Sequence, residues 1–326
     1  MTLRRGRRIP AVAVAVAIVL SGCSGSARPA PGGPRASPPA VAVSSVPGPP
    51  ESSRATPPAT SRAPRPSSVR RDPVTCARPG TTAFDCDLQR RIAAVQTYLR
   101  TRPGSVGIVL RDRRTGAVWH NRYADTAVWT ASTIKLAMTV DLFTRNRAGL
   151  IALTADDRDL IQRMLHSSDD DAADTLWFRY AGADHLTYND RFPRYGLTSL
   201  RPQAGFTHYY PYWGFQKCTP ADLDRLIQYV LTTLDGHDRR YIVGQLQHVA
   251  PDQQWGVWGA GAAAHPGNKD GWSLEQGGWV MNSVGFAGPG QRYTLAVMNS
   301  LDGQGGYDDG RATDSQVARI LFDGRF

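Results

Sequence analysis

The hydrophobic pattern of this chain changes period twice between residues 87 and 322, and that double change restricts the fold more than any other feature. It opens with helical spacing over Asp87–Arg100 (DLQRRIAAVQTYLR), with Asp85 as a candidate cap. Gly104–Arg111 (GSVGIVLR) then reads as a short strand. Arg114-Thr115-Gly116 turns the chain into a second strand over Ala117–Asn121, which predicts a hairpin. From Ser132 the spacing is helical again, over 132–148, 155–166, 171–180, 221–234 and 239–248. Strand patterning resumes at Asn268–Trp272, Gly278–Ala287 and Tyr293–Ser300, and a last helix is expected over Thr313–Phe322. Strands at both ends of a helical middle imply an α+β fold, an antiparallel five-stranded sheet flanked by helices with an all-helical lobe inserted. The cleft between the two lobes is the default place for a site.

The chain ahead of this domain cannot fold in the same way. Residues 24–75 hold 13 of the 23 prolines, with Ala, Ser, Gly and Arg filling most of the rest. Such a segment cannot bury enough apolar surface and is expected to act as a disordered, semi-extended tether. Residues 1–23 read as a processing signal: Arg4, Arg5, Arg7 and Arg8 precede a ten-residue apolar run, AVAVAVAIVL, too short for a spanning helix. Leu20-Ser21-Gly22-Cys23 resembles a bacterial lipobox. That resemblance implies lipidation of Cys23 and anchoring at the outer face of the cell membrane. The expected organisation is therefore signal 1–23, tether 24–75 and domain 76–326. The net charge of +10 also belongs to the leader, because residues 76–326 carry 27 basic and 26 acidic side chains. A balanced domain without a basic stripe is a poor match for a polyanion, which sets nucleic acid aside as a partner.

Cys76 and Cys86 bracket a short Gly-containing loop that a disulfide would close, and with Cys218 the three thiols leave one unpaired or pairing between chains. No C-x-x-C or H-E-x-x-H spacing occurs, so no metal site is expected. The lysines are more informative. The chain has 35 arginines and only Lys135, Lys217 and Lys269. Arg keeps its proton at all working pH values, whereas a buried Lys can lose it and act as a base. Ser132-Thr133-Ile134-Lys135 places a hydroxyl and an amine one turn apart at a helix start, where free backbone N–H groups are also present. A neutral amine in reach would activate the otherwise weak serine nucleophile.

Two further motifs follow: Ser168-Asp169-Asp170 within HSSDDDAADTLW, and Lys269-Asp270-Gly271 at the first returning strand. Together with Ser132-x-x-Lys135 they resemble the S-x-x-K, S-D-N and K-T-G set of class A β-lactamases and penicillin-binding proteins, over about residues 84–326. Ala172-Ala173-Asp174 and Thr219-Pro220 add to the resemblance. It implies that Ser132 is the acylated nucleophile, Lys135 its base or proton relay, and Ser168 the proton shuttle to the leaving group. Lys269 would supply positive potential, and the backbone N–H groups of Ser132 and Trp272 would form an oxyanion hole. Asp170, Asp270 and Gly271 would meet the substrate, a β-lactam, ester or cell-wall peptide, and no cofactor is implied. Taken singly, each motif has an ordinary reading, as a cap, an acidic helix start or a turn.

The sequence departs from that pattern where Asp270 replaces Thr or Ser and Asp170 replaces Asn. Asp170 is expected to raise the Lys135 pKa, and Asp270 to oppose a substrate carboxylate, the alternative being that Asp270 points away and only its backbone matters. The stretch from Lys135 to Ser168 is short, so one cleft wall should be reduced. No acid stands between Arg191 and Ala221, a segment that offers His208 and tyrosines but no carboxylate to activate water; the two glutamates are Glu51 and Glu275. Three functions are then in play. The first is an envelope-anchored serine hydrolase with weak β-lactam turnover. The second is a penicillin-binding, peptidase- or esterase-like acyl-enzyme former. The third is a non-catalytic binding lipoprotein, which the retention of both motif lysines argues against.

Overall fold

The computed structural model describes residues 82–204, 211–275 and 277–326, all within one compact unit. The signal, Cys23, the tether, Cys76 and His208 lie outside the described residues. Helix α1 (Cys86–Leu99) begins at an Asp85 cap whose carboxylate accepts the Leu88 N–H at 2.9 Å. Strands β1 (Ser105–Asp112) and β2 (Val118–His120) form the expected hairpin. After β3 (Val128–Trp129) and a 3-10 turn over Ala131–Thr133 come α2 (Ile134–Arg147), α3 (Ala155–His166), α4 (Asp170–Tyr180) and the short α5 (Thr187–Arg191). Next are β4 (Arg201–Pro202), β5 (Gln216–Cys218), α6 (Pro220–Thr232) and α7 (Gly236–Gln247). The chain closes with β6 (Gly267–Glu275), β7 (Gly278–Ala287), β8 (Tyr293–Ser300) and α8 (Tyr307–Phe322).

The main sheet is antiparallel throughout, in the order β2-β1-β8-β7-β6. The first and last strands of the domain therefore pair centrally, and the helical lobe is an insertion between them, as the pattern implied. Strand alternation divides the core in two. Ile108, Leu110, Leu295 and Val297 face α1 and α8, packing on Leu88, Val95, Val317 and Leu321. Val280, Val284, Ala296 and Met298 face the helical lobe. A second sheet, β3-β5-β4, was not legible, since strands of two and three residues carry too little alternation to read. Helix α8 also starts six residues earlier than expected, because the Asp309 carboxylate accepts the Gly306 N–H at 2.9 Å and caps its first turn.

Cys86 is disulfide-bonded, and Cys218 is a buried free thiol. The third lysine, Lys217, lies over the Trp129 ring at 4.5 Å, across the β3–β5 pairing. Among the described residues no helix is long and apolar enough to cross a membrane.

Candidate active site

Ser132 sits in the 3-10 turn that leads into α2, directly after Ala131, whose φ of 44° is in the left-handed region. That conformation is costly for alanine and kinks the chain just ahead of the candidate nucleophile. No hydrogen bond among the described residues occupies the Ser132 backbone N–H. Strand β6 is the free edge of the main sheet and runs past this turn. A Cβ at Gly271 would come within 2.7 Å of the amide nitrogens of both Ser132 and Thr133. Glycine is required there so that the strand, and with it Trp272, can approach the turn.

Ser168 lies between α3 and α4 with φ at 59°. The α4 N-cap is Asp169, which accepts the Ala172 N–H at 2.9 Å and pairs with Arg163 at 2.6 Å, so its role is structural. Two lysine amines converge on the Ser168 hydroxyl. Lys269 Nζ donates to Ser168 Oγ at 2.9 Å and to the Asp270 carbonyl at 2.8 Å. Lys135 Nζ donates to the Ser168 carbonyl at 2.6 Å, to Ser168 Oγ at 3.4 Å and to the Asp170 carboxylate. The sequence reading joined Lys135 to Ser132; in the structure its hydrogen bonds go to Ser168 and Asp170 instead. Both lysines are buried, at 0 % and 1 % exposure.

Burial sets the proton affinity of both amines. Desolvation lowers the Lys135 pKa, and the contact with Asp170 offsets it only in part. Asp170 thus pulls this pKa upward, as expected, but burial outweighs it and the net shift is downward. Lys269 is also lowered, by desolvation and then by the charge of Lys135. Asp170 itself is largely solvent-exposed, so the ion pair joins a fully buried amine to a carboxylate at the surface.

Asp270 is not where the motif comparison put it. Residues alternate across β6, so Lys269 and Gly271 face the Ser132 turn while Asp270 points through the sheet toward α8. It is paired in register with Ser283, lies close to Gly256 and is 1 % exposed. Burial raises its pKa; the side chains of Ser283 and Asn268 beside it offset that only in part, and neither carboxyl oxygen meets a donor in hydrogen-bonding geometry. Asp270 therefore does not confront a substrate carboxylate in the cleft.

Two residues went unread in the sequence. The Trp213 ring lies 4.6 Å from Lys135 Nζ, and its Nε1 donates to Asp174 at 2.7 Å. Tyr212 donates its hydroxyl to the same carboxylate. Trp213, held by Asp174, thus lays an aromatic ring against Lys135. A lone tryptophan in a loop carries no periodic signal that could have revealed this. Among the described residues no group of three or more Asp, Glu, His or Cys side chains is placed to hold a metal ion.

No family model matches the chain. It is 29% identical over 251 residues to proteins named "Putative lipoprotein LppW" from Mycobacterium tuberculosis and Mycobacterium bovis, spanning 72% of this chain and 75% of the relative. Among solved structures it is similar to a β-lactamase from Streptosporangium roseum (18% identity, 72% of this chain and 97% of that one, TM-score 0.58). A β-lactamase from Burkholderia vietnamiensis is equally similar (18%, 73% and 96%, TM-score 0.58). So is an ancestral class A β-lactamase (18%, 72% and 98%, TM-score 0.58). At that identity the likeness concerns the fold, and the chain has the class A β-lactamase fold.

Proposed function

We propose that this protein is an envelope-anchored serine hydrolase that works through an acyl-enzyme on Ser132. The observation that carries the reading is the Ser168 hydroxyl, held between two buried lysine amines beside a strained serine turn. Buried amines with lowered pKa values are suited to accepting a proton near neutral pH. Ser132 Oγ would bond to the substrate carbonyl carbon as its proton passes to neutral Lys135. Once neutral, that amine loses its ion-pair attraction to Asp170 and is free to turn to Ser132. The oxyanion would be met by the N–H groups of Ser132 and Trp272. The leaving group would then depart with a proton from Ser168, which Lys135 replenishes. The chemistry needs no cofactor.

Deacylation is the weak step of this scheme. Segment 191–221 carries no carboxylate to activate water, and Trp213 lies against Lys135, so an ester on Ser132 should persist. This favours a penicillin-binding or esterase-like acyl-enzyme former over a fast β-lactamase, with β-lactams, esters or cell-wall peptides as the substrate class. Intact-mass analysis after incubation with a fluorophosphonate, and separately with a penicillin, tests the reading. A stable single adduct on Ser132 is expected. Rapid penicillin turnover with no detectable adduct would overturn the slow-deacylation argument.

Asp170 gives a second test with a definite sign. Its carboxylate favours the charged form of Lys135, so Asp170→Asn should lower that pKa further, by about one pH unit or more. Labelling requires the neutral amine, so the rising limb of labelling rate against pH should move to lower pH. A limb that stays in place would show that Lys135 is not the group titrating.

The leader sequence and the named lipoprotein relatives support an envelope location. Mature protein should fractionate with membranes and carry acyl mass at Cys23, and Cys23→Ser should release or mislocalise it. Wild-type protein that is soluble and unacylated would refute the anchor.

A further inference from the structure

Lys135 Nζ is held by two firm hydrogen bonds, to the Ser168 carbonyl at 2.6 Å and to the Asp170 carboxylate, with the Ser168 hydroxyl at 3.4 Å as a loose third. The Trp213 ring lies over the same nitrogen, 4.6 Å from it, and is itself buried. A water molecule in that place would accept a hydrogen bond from the amine. A ring face offers only the attraction of its quadrupole.

A carboxylate with no cation bound to it fixes the ring there. Asp174 accepts the Trp213 Nε1–H at 2.7 Å and the Tyr212 hydroxyl on the same oxygen, and it forms no ion pair among the described residues. The buried carboxylates of Asp112, Asp141, Asp157 and Asp222, by contrast, each meet an arginine. Asp170 and Asp174 stand four residues apart on α4. One face of that helix therefore carries both the partner of the amine and the anchor of the ring that covers it.

We propose that Trp213 is a positioning residue for the reaction on Ser132, its ring keeping water from Lys135 and so holding the amine dry against Ser168 until it takes up the serine proton. The inference rests on Lys135 being the base of that reaction. The ring acts on the amine in two opposed senses: its face attracts the charged form, while its bulk excludes the water that would hydrate that form. Exclusion is the larger effect. Asp169, Asp170 and Asp174 all favour the charged amine, and Lys269, bonded to the same Ser168 hydroxyl, is the like charge beside it. Burial outweighs the three carboxylates and lowers the Lys135 pKa. Removing the ring admits water and should therefore raise it.

The chain has only three lysines, so full-length Cys23→Ser protein labelled with ¹³C at lysine Cε gives three signals to follow against pH. The Lys135 signal is the one lost in Lys135→Met. Trp213→Ala should move the Lys135 titration up by about one pH unit or more, and the rising limb of fluorophosphonate labelling should move up with it. Trp213→Gln fills more of the gap with a polar side chain; it should move both the same way, and it carries the test if the alanine variant does not fold. Trp213→Phe restores a ring and should leave both close to the parent. A Lys135 titration that the alanine and glutamine variants leave in place would overturn the inference. A titration that moves while the labelling limb stays would remove Lys135 as the base and leave the drying of the amine standing.

Discussion

Ser132→Ala should take no label from a fluorophosphonate and no adduct from a penicillin, with its thermal midpoint close to that of the parent. The loss should be complete at the sensitivity of intact mass, because no other described serine or threonine stands at the head of a helix with a buried lysine one turn on. Removing Oγ costs little in the fold, since that oxygen makes no hydrogen bond among the described residues and alanine suits a helix-leading turn. An undiminished adduct on the alanine variant would remove Ser132 from the mechanism and leave the cluster to be explained as structure.

Lys135→Arg should be nearly as damaging, with a fall in labelling rate of about 10²–10⁴-fold, the range that general-base catalysis supplies. Arginine keeps the charge but cannot accept a proton. It is also larger, and Lys135 is fully buried, so Lys135→Met is the companion: it loses the charge and nearly preserves volume. Equal loss in both variants would identify proton acceptance as the missing function. The parent protein supplies the pH signature. Burial lowers the Lys135 pKa, so the neutral amine becomes abundant at a lower pH than for a solvated lysine, and labelling should rise through that pKa and then level off. Retention of that rising limb in Lys135→Arg would move the role of base to Lys269, whose pKa is lowered as well.

The main sheet and the long helices were legible because each buries one face and so repeats its apolar residues at a fixed period. The short second sheet and α5 have no room for a repeat. The candidate site was half legible. Ser132, Lys135, Ser168 and Lys269 are marked by residue type and by the scarcity of lysine, and the structure brings Lys135 and Lys269 onto Ser168. Asp270 was misplaced for a reason the sequence already held. Residues i and i+2 of a strand share a face, so a Gly271 pressed against Ser132 sends Asp270 to the other side of the sheet. Resemblance to a motif drew attention to Asp270's identity, where parity was the better guide to its direction. The reversal between Asp170's pull and the net pKa of Lys135 has a different origin, because burial is a property of the packed core.

Cys218 gives this fold a chemical clock. Its thiol is wholly buried in β5, with Sγ 3.9 Å from the Met298 sulfur of β8, where the small sheet meets the large one. Burial pushes its pKa well up, so it is a poor nucleophile until water reaches it. A maleimide can therefore modify it only when the lobes part, and fraying of a helix end will not suffice. The rate of alkylation, followed by mass at a single site, then reports how often the small sheet lifts from the large one. Comparing that rate before and after Ser132 is acylated would show whether a covalent ligand clamps the lobes together.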